Sequence, residues 1–132
     1  MKSDIPFRTI DANINRFKEG IRVVEDILRY ELSSPLAKTL KEIRHIQIPD
    51  YEKIISFRDA DNDILKPSTK SELKRSSLKE VVISNLKRAQ ESARVLEEIY
   101  KLIDIKISEK FKQRRYRLYS IEKEILTLIK DI

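Results

Sequence analysis

The chain has 132 residues, 28 of them Lys or Arg and 22 Asp or Glu, for a net charge of +6; 40% are hydrophobic. That length suits one domain with a modest core, and no apolar run approaches the roughly 18 residues of a membrane span. Acids and bases are interspersed, which argues against nucleic-acid and membrane-surface roles and favours phosphorylated small molecules as anionic partners. One glycine and four prolines point away from a turn-rich fold and towards long helices. The absence of cysteine excludes a disulfide framework and a thiolate metal site. Met1 to Pro6 lacks the apolar core of a signal peptide, so the cytoplasm is the expected compartment.

In chain order, residues 1–9 read as an extended lead-in, with Pro6 opposing a helix start and Asp11 placed to cap a helix running to about Glu31. Ile10, Ile14, Phe17, Ile21, Val24 and Leu28 step by three and four, as one buried face requires. Ser34 and Pro35 suit the cap and first position of a second helix, ending near His45 or Gln47 before Pro49. Residues 48–76 read as an irregular connection, with a short helix near 51–56 and a helical turn near 71–75. Ser77 and Glu80 fit a capping box, opening a third helix whose Val82, Leu86, Ala89, Ala93, Leu96 and Tyr100 form one face. A last helix is expected from about Ser108 to Lys130, with Phe111, Leu118, Ile121, Ile125 and Leu126 in the core.

The sequence repeats itself. Shifted by 72 positions, Asn13, Arg16, Glu19, Arg22, Val23 and Glu25 recur as Asn85, Arg88, Glu91, Arg94, Val95 and Glu97, and Asp26 becomes Glu98. Lys41 and Arg44 similarly align with Lys112 and Arg115 at a shift of 71. The expectation is a single all-α domain over 1–132: a four-helix bundle-like arrangement of two duplicated hairpins, about 10–47 and 77–131.

Several signatures are missing. The lone glycine, Gly20, lies mid-helix, which excludes Walker, Rossmann and kinase glycine loops. His45 is the only histidine, which excludes His-based zinc motifs. Phosphate would therefore be handled by side chains and helix N-termini. Asn15, Glu19, Arg22, Asp26 and Arg29 form one outward stripe, matched by Lys87, Glu91, Arg94, Glu98 and Lys101. Such spacings also make ordinary salt bridges on a solvated helix face. Gly20 costs about 1 kcal/mol relative to alanine in a helix, which suggests close approach of another helix or a ligand there. Arg58 to Asp63 carries three carboxylates that suit Mg²⁺ or a solvated loop. Arg114 to Tyr119 interleaves arginine and tyrosine, suited to phosphate and base or to snorkelling on an amphipathic helix.

The ordered set Asp11-Ala12-Asn13, Asn15-Arg16, Glu19-Gly20, Arg22-Val23, Glu25-Asp26, Arg44-His45, Arg58-Asp59, Asn85, Arg88, Glu91, Arg94, Glu97-Glu98 and Arg115-Tyr116-Arg117 resembles one family. This is a small helical family of hydroxymethylpyrimidine phosphate kinases, often fused ahead of thiamine phosphate synthase. One departure is Asp63-Ile64-Leu65, where the family tends to end in Asp-Val-Gly. The resemblance implies transfer of the ATP γ-phosphoryl to 4-amino-5-hydroxymethyl-2-methylpyrimidine phosphate with Mg²⁺, giving the diphosphate for thiamine synthesis. Small-molecule partners are then the phosphorylated pyrimidine and the nucleotide; a homodimer or a thiamine phosphate synthase is the expected protein partner. Chemistry and motif position together nominate Arg22, Arg94 and Glu19 as catalytic. They nominate Arg16, Arg88, Arg115 and Arg117 for phosphate binding, Asn13 and Asn15 for orienting substrate, and Asp26 and Asp59 for Mg²⁺. The alternative is a non-enzymatic helical module that docks on a thiamine phosphate synthase.

Overall fold

A computed structural model describes residues 4–129. Among the described residues every regular element is helical: α1 Phe7–Tyr30, α2 Leu36–Arg44, α3 Tyr51–Ile55, α4 Lys70–Leu73, α5 Leu78–Tyr100 and α6 Ile105–Leu128. Helix α1 packs on α2, α3 and α5, while α6 packs on α5 and α2. The expected all-α fold holds, and the four longer helices make the bundle.

The two central helices form because each carries one continuous apolar face. Ile10, Phe17, Ile21, Val24 and Leu28 of α1 are fully buried against Val82, Leu86, Ala89, Ala93 and Leu96 of α5. Burying each large side chain of this kind stabilises the fold by about 1.5–3 kcal/mol. Helix α5 presents two alanines where α1 presents larger residues, and Gly20 uses that space. A Cβ built on Gly20 would lie 2.8 Å from the carbonyl oxygen of Asn85 and 3.4 Å from the Ala89 Cβ. The mid-helix glycine therefore marks the point of closest approach between helices.

Several expected boundaries move, each for a physical reason. Helix α1 starts at Phe7, because the Pro6 carbonyl accepts from Ile10 N–H at 3.1 Å; a proline just outside a helix forfeits no helical hydrogen bond. Asp11 is thus no cap but a buried residue inside α1, spent on an ion pair described below. Helix α2 starts at Leu36, one residue past Pro35, and the Ser34 hydroxyl accepts its N–H at 3.2 Å. It ends at Arg44, where the guanidinium of Arg114 in α6 donates to the carbonyls of Ile43 and His45, satisfying orphan helix-end acceptors. At α5 the Ser77 hydroxyl accepts from Glu80 N–H, but the Glu80 carboxylate turns to Ser76, bonding both its N–H and its hydroxyl. Helix α6 starts three residues early, at Ile105, because Asp104 caps it through Lys106 N–H. Ser108, the expected start, is buried and donates to the Glu97 carbonyl at 2.6 Å. Leu126 is only partly buried. The expected run to Lys130 reaches beyond the described residues.

The repeat is visible in contacts as well as sequence. Glu25 of α1 accepts from Arg44 of α2 through both carboxylate oxygens, at 2.7 and 3.2 Å. At the equivalent place Glu97 of α5 accepts from Arg115 of α6 at 3.1 and 2.9 Å. Asn13 donates to the Thr9 carbonyl and Asn85 to that of Val81. Arg22 pairs with Asp26 and Arg94 with Glu98, both at 3.0 Å. The second helices of the two hairpins differ in length, with α2 having 9 residues against 24 in α6.

Candidate functional site

Helices α1 and α5 run antiparallel, since Gly20 meets Asn85 while Asn13 shares a concavity with Ser92. A shift of 72 carries Asn13 to Asn85 and Gly20 to Ser92, so the two contacts are equivalents exchanged across a local pseudo-twofold. That axis passes between Arg16 and Arg88. Along α1 the flanking row is Thr9, Asn13, Arg16, Gly20 and Val23; along α5 it is Val81, Asn85, Arg88, Ser92 and Val95. Spacings of four and three keep each row on the same side of its helix, beside the core face rather than opposite to it.

Two concavities open along this seam. The first, a groove of about 380 Å³, is lined by Asn13 and Arg16 of α1 and by Ser84, Lys87, Arg88 and Glu91 of α5, with Ser92 and Val95 beyond. Arg16 and Arg88 are both exposed, and among the described residues neither has a hydrogen-bond or salt-bridge partner. Lys87 is committed: it reaches Glu122 of α6 at 3.2 Å, and Gln90 donates to the same carboxylate at 2.7 Å.

The second cavity, about 480 Å³, lies between the first half of α1 and the connection. It shares Asn13 and Arg16 with the groove and adds Arg8, Asn15, Arg58, Asp59 and Asn62. The connection is tied down at three points. Arg58 makes a bidentate pair with buried Asp11, 2.8 Å at each oxygen. Arg8 donates to the Asp59 carbonyl at 2.8 Å, and the Phe57 ring stacks on Phe7 with centroids 5.0 Å apart. The Asp11 hydrogen bonds raise the Arg58 pKa above its ordinary value, so the guanidinium stays charged. Asp59 is held below the usual carboxylate range, chiefly by the Asn62 side chain, which donates at 2.8 and 3.0 Å.

The sequence candidates divide between these places. Asn13, Asn15, Arg16, Arg88 and Asp59 line one or both concavities. Glu19, Arg22, Asp26 and Arg94 line neither; the last three stand on outward faces in the i,i+4 pairs already described. Arg115 is largely buried against Glu97, and bonding to the Tyr119 hydroxyl first, then to Glu97, raises its pKa. Arg117 lies elsewhere, in a third concavity between α2 and α6 with Leu36 and Tyr116. Asp26 and Asp59 share no cavity, and among the described residues no three carboxylates or histidines converge on one point. Mg²⁺ needs less than that, commonly one or two carboxylates with water and phosphate oxygens, and ionised Asp59 suits such a role. What sequence reasoning missed was Asp11 with Arg58, whose link is 47 residues long and leaves no local signature.

No helix among the described residues is long and apolar enough to cross a membrane. Residues 8–124 match the ThiD2 family. Among curated proteins, the chain is 36% identical over 128 residues to a thiamine-phosphate synthase of Nostoc sp. (92% of this chain, 36% of that protein). It is 37% identical over 122 residues to one of Synechocystis sp. (90% and 36%). It is also 37% identical over 128 residues to one of Thermosynechococcus vestitus (92% and 35%). The chain therefore spans about a third of the length of the curated relatives it matches. No solved structure matches it. With nearly its whole length matched, the chain belongs to the ThiD2 family.

Proposed function

We propose that this chain is a cytoplasmic kinase that transfers the ATP γ-phosphoryl to 4-amino-5-hydroxymethyl-2-methylpyrimidine phosphate, yielding the diphosphate used in thiamine biosynthesis. The observation that carries the reading is the pair Arg16 and Arg88. Two symmetry-related guanidiniums face one groove, and neither has a protein partner among the described residues. Family membership and relatives named thiamine-phosphate synthase support the pathway.

The chemistry suits a site without histidine. The acceptor is a phosphate oxygen, largely ionised at neutral pH because its second pKa is about 6, so no general base is required. Phosphoryl transfer then depends on positioning and on neutralising charge. Arg16 and Arg88 bind phosphate oxygens, and the Asn13 and Asn15 amides orient the acceptor. Asp59 would hold Mg²⁺, which when bound offsets charge on the phosphates. A site built for an anion also disfavours the free alcohol, since arginines desolvated without a phosphate are costly. Kinase assays with the free pyrimidine and its phosphate side by side, with and without Mg²⁺, test this. Turnover of the phosphate alone, and only with Mg²⁺, is expected; no turnover of either compound overturns it.

A second reading is favoured by one fact, that the relatives continue for about twice this chain's length beyond the match. In that reading the helical unit docks on a thiamine phosphate synthase without chemistry of its own. It predicts binding to that enzyme and no ATP consumption.

A further inference from the structure

The two concavities are neighbours that share only Asn13 and Arg16. We infer that they form one bipartite site per chain: the groove takes the phosphate tail of a nucleoside triphosphate, the connection cavity takes the phosphorylated pyrimidine, and Arg16 bridges the reacting phosphates. This rests on the kinase reading above.

Charge decides which ligand goes where. In the groove both Arg16 and Arg88 are uncommitted, suited to a polyphosphate that carries several negative charges. In the cavity Arg58 is consumed by Asp11 and Arg8 already donates to the Asp59 carbonyl. That leaves Arg16 as its one guanidinium without a protein partner, suited to a single phosphate. The cavity offers amides instead: the whole Asn15 amide and the carbonyl oxygens of Asn13 and Asn62, the latter's nitrogen already donating to Asp59, which together match the ring nitrogens and exocyclic amine of an aminopyrimidine. Asn13 already donates to Thr9, which leaves its carbonyl oxygen to accept.

Transfer requires the two phosphates to meet. An ionised oxygen of the pyrimidine phosphate attacks the γ-phosphorus and a new P–O bond forms. The bond from that phosphorus to the β,γ-bridging oxygen breaks, and the nucleoside diphosphate departs with the electron pair. A dianionic acceptor and a tetra-anionic donor give two trianions, with no proton moved. Attack needs the reacting atoms about 3–3.5 Å apart, and of the cationic side chains only Arg16 borders both concavities.

The site occurs once because the second half lacks its anchor. The position equivalent to Asp11 is Ile83, which cannot hold a guanidinium, and the position equivalent to Asn15 is Lys87, held by Glu122. No second connection can be tied over α5 in the same way.

Calorimetric titration tests the assignment, with the pyrimidine phosphate and a non-hydrolysable ATP analogue with Mg²⁺ added separately. One molecule of each is expected to bind per chain. Both arginines are exposed, so alanine variants keep the fold, as circular dichroism checks. Arg16→Ala should weaken both ligands by about tenfold or more. Arg88→Ala should weaken the nucleotide by about as much and the pyrimidine phosphate by less than about threefold. Asp11→Asn, which loosens the connection, should weaken the pyrimidine phosphate alone. Two equivalents per chain, an Arg16 variant that affects one ligand only, or an Arg88 variant that affects both equally overturns the division while the kinase reading stands. If the unaltered chain binds neither ligand, both fall.

Discussion

Helices α1 and α5 carry equivalent rows of side chains, identical at the Asn, Arg and Val positions, and meet each other as equivalents, yet only α1 is covered by the connection. What the halves share is structural: the Glu25–Arg44 and Glu97–Arg115 pairs, the Asn13 and Asn85 back-bonds and the core faces. What they do not share makes the cavity: Asp11 against Ile83 and Asn15 against Lys87. Shared residues hold the frame, and divergent residues give one half its pocket. The arginines on the axis, Arg16 and Arg88, belong to both categories, being identical in type but different in surroundings.

Substitutions at equivalent positions separate what the two halves share from what they do not. The largest effect is expected at the buried pairs. Glu25→Ala and Glu97→Ala each strand a largely buried arginine, so each should lower the unfolding free energy by about 3–5 kcal/mol in denaturant titrations. A large loss at one and none at the other would end the structural equivalence of the halves. Next comes the crossing point. Gly20→Ala gains about 1 kcal/mol of helix propensity but sets a Cβ against the Asn85 carbonyl, 2.8 Å away. Overpacking costs about 1–3 kcal/mol, so a net loss is expected, whereas Ser92→Ala should change stability by no more than about 0.5 kcal/mol.

A smaller difference lies in the core. Leu28 and Tyr100 are equivalents, and the Tyr100 hydroxyl is buried without a partner among the described residues. Burial is the main reason its pKa is pushed up to about 12. Tyr100→Phe removes an unsatisfied group and should leave stability unchanged or raise it by about 1 kcal/mol on thermal unfolding. The smallest effect concerns pH and the connection. Asp59 titrates below its ordinary value when folded, so the folded state binds that proton more weakly than the unfolded one. Its contribution is therefore present above the unfolded pKa of about 4 and lost as pH falls through the lower folded value. Asn62→Ala removes the main cause and should move the Asp59 titration upward in a carboxylate NMR titration.

Much of this frame was legible in the sequence. The three-four spacing from Ile10 to Leu28 named the core face of α1 correctly, and the shift of 72 found the equivalent face of α5. Gly20 announced a close approach. The site was less legible, because helical periodicity says which side is apolar but not which flank another helix will cover. The stripe through Arg22 and Asp26 lies opposite the core, where i,i+4 pairs close on themselves. The row through Asn13, Arg16 and Gly20 became distinct only once α5 lay beside it. Glu25 and Arg44 both stood out as repeated residues, yet nothing local pairs residues 19 apart across a turn. Asp11 looked like a cap because it precedes a helical pattern, and only the fold brings Arg58 to it.

On the kinase reading, phosphate is handled on the α1–α5 seam and not on the outward stripe. Steady-state phosphorylation of the pyrimidine phosphate by Arg16→Ala and Arg22→Ala, assayed in parallel with the unaltered chain, tests it most directly. Removing a cation that contacts the transferring phosphoryl group should lower kcat/KM by about a hundredfold or more. The Arg22 variant, which loses only an exposed pair with Asp26, should stay within a few-fold of the unaltered chain. A collapse of turnover with Arg22→Ala alongside near-normal turnover with Arg16→Ala would put phosphate on the outward stripe instead.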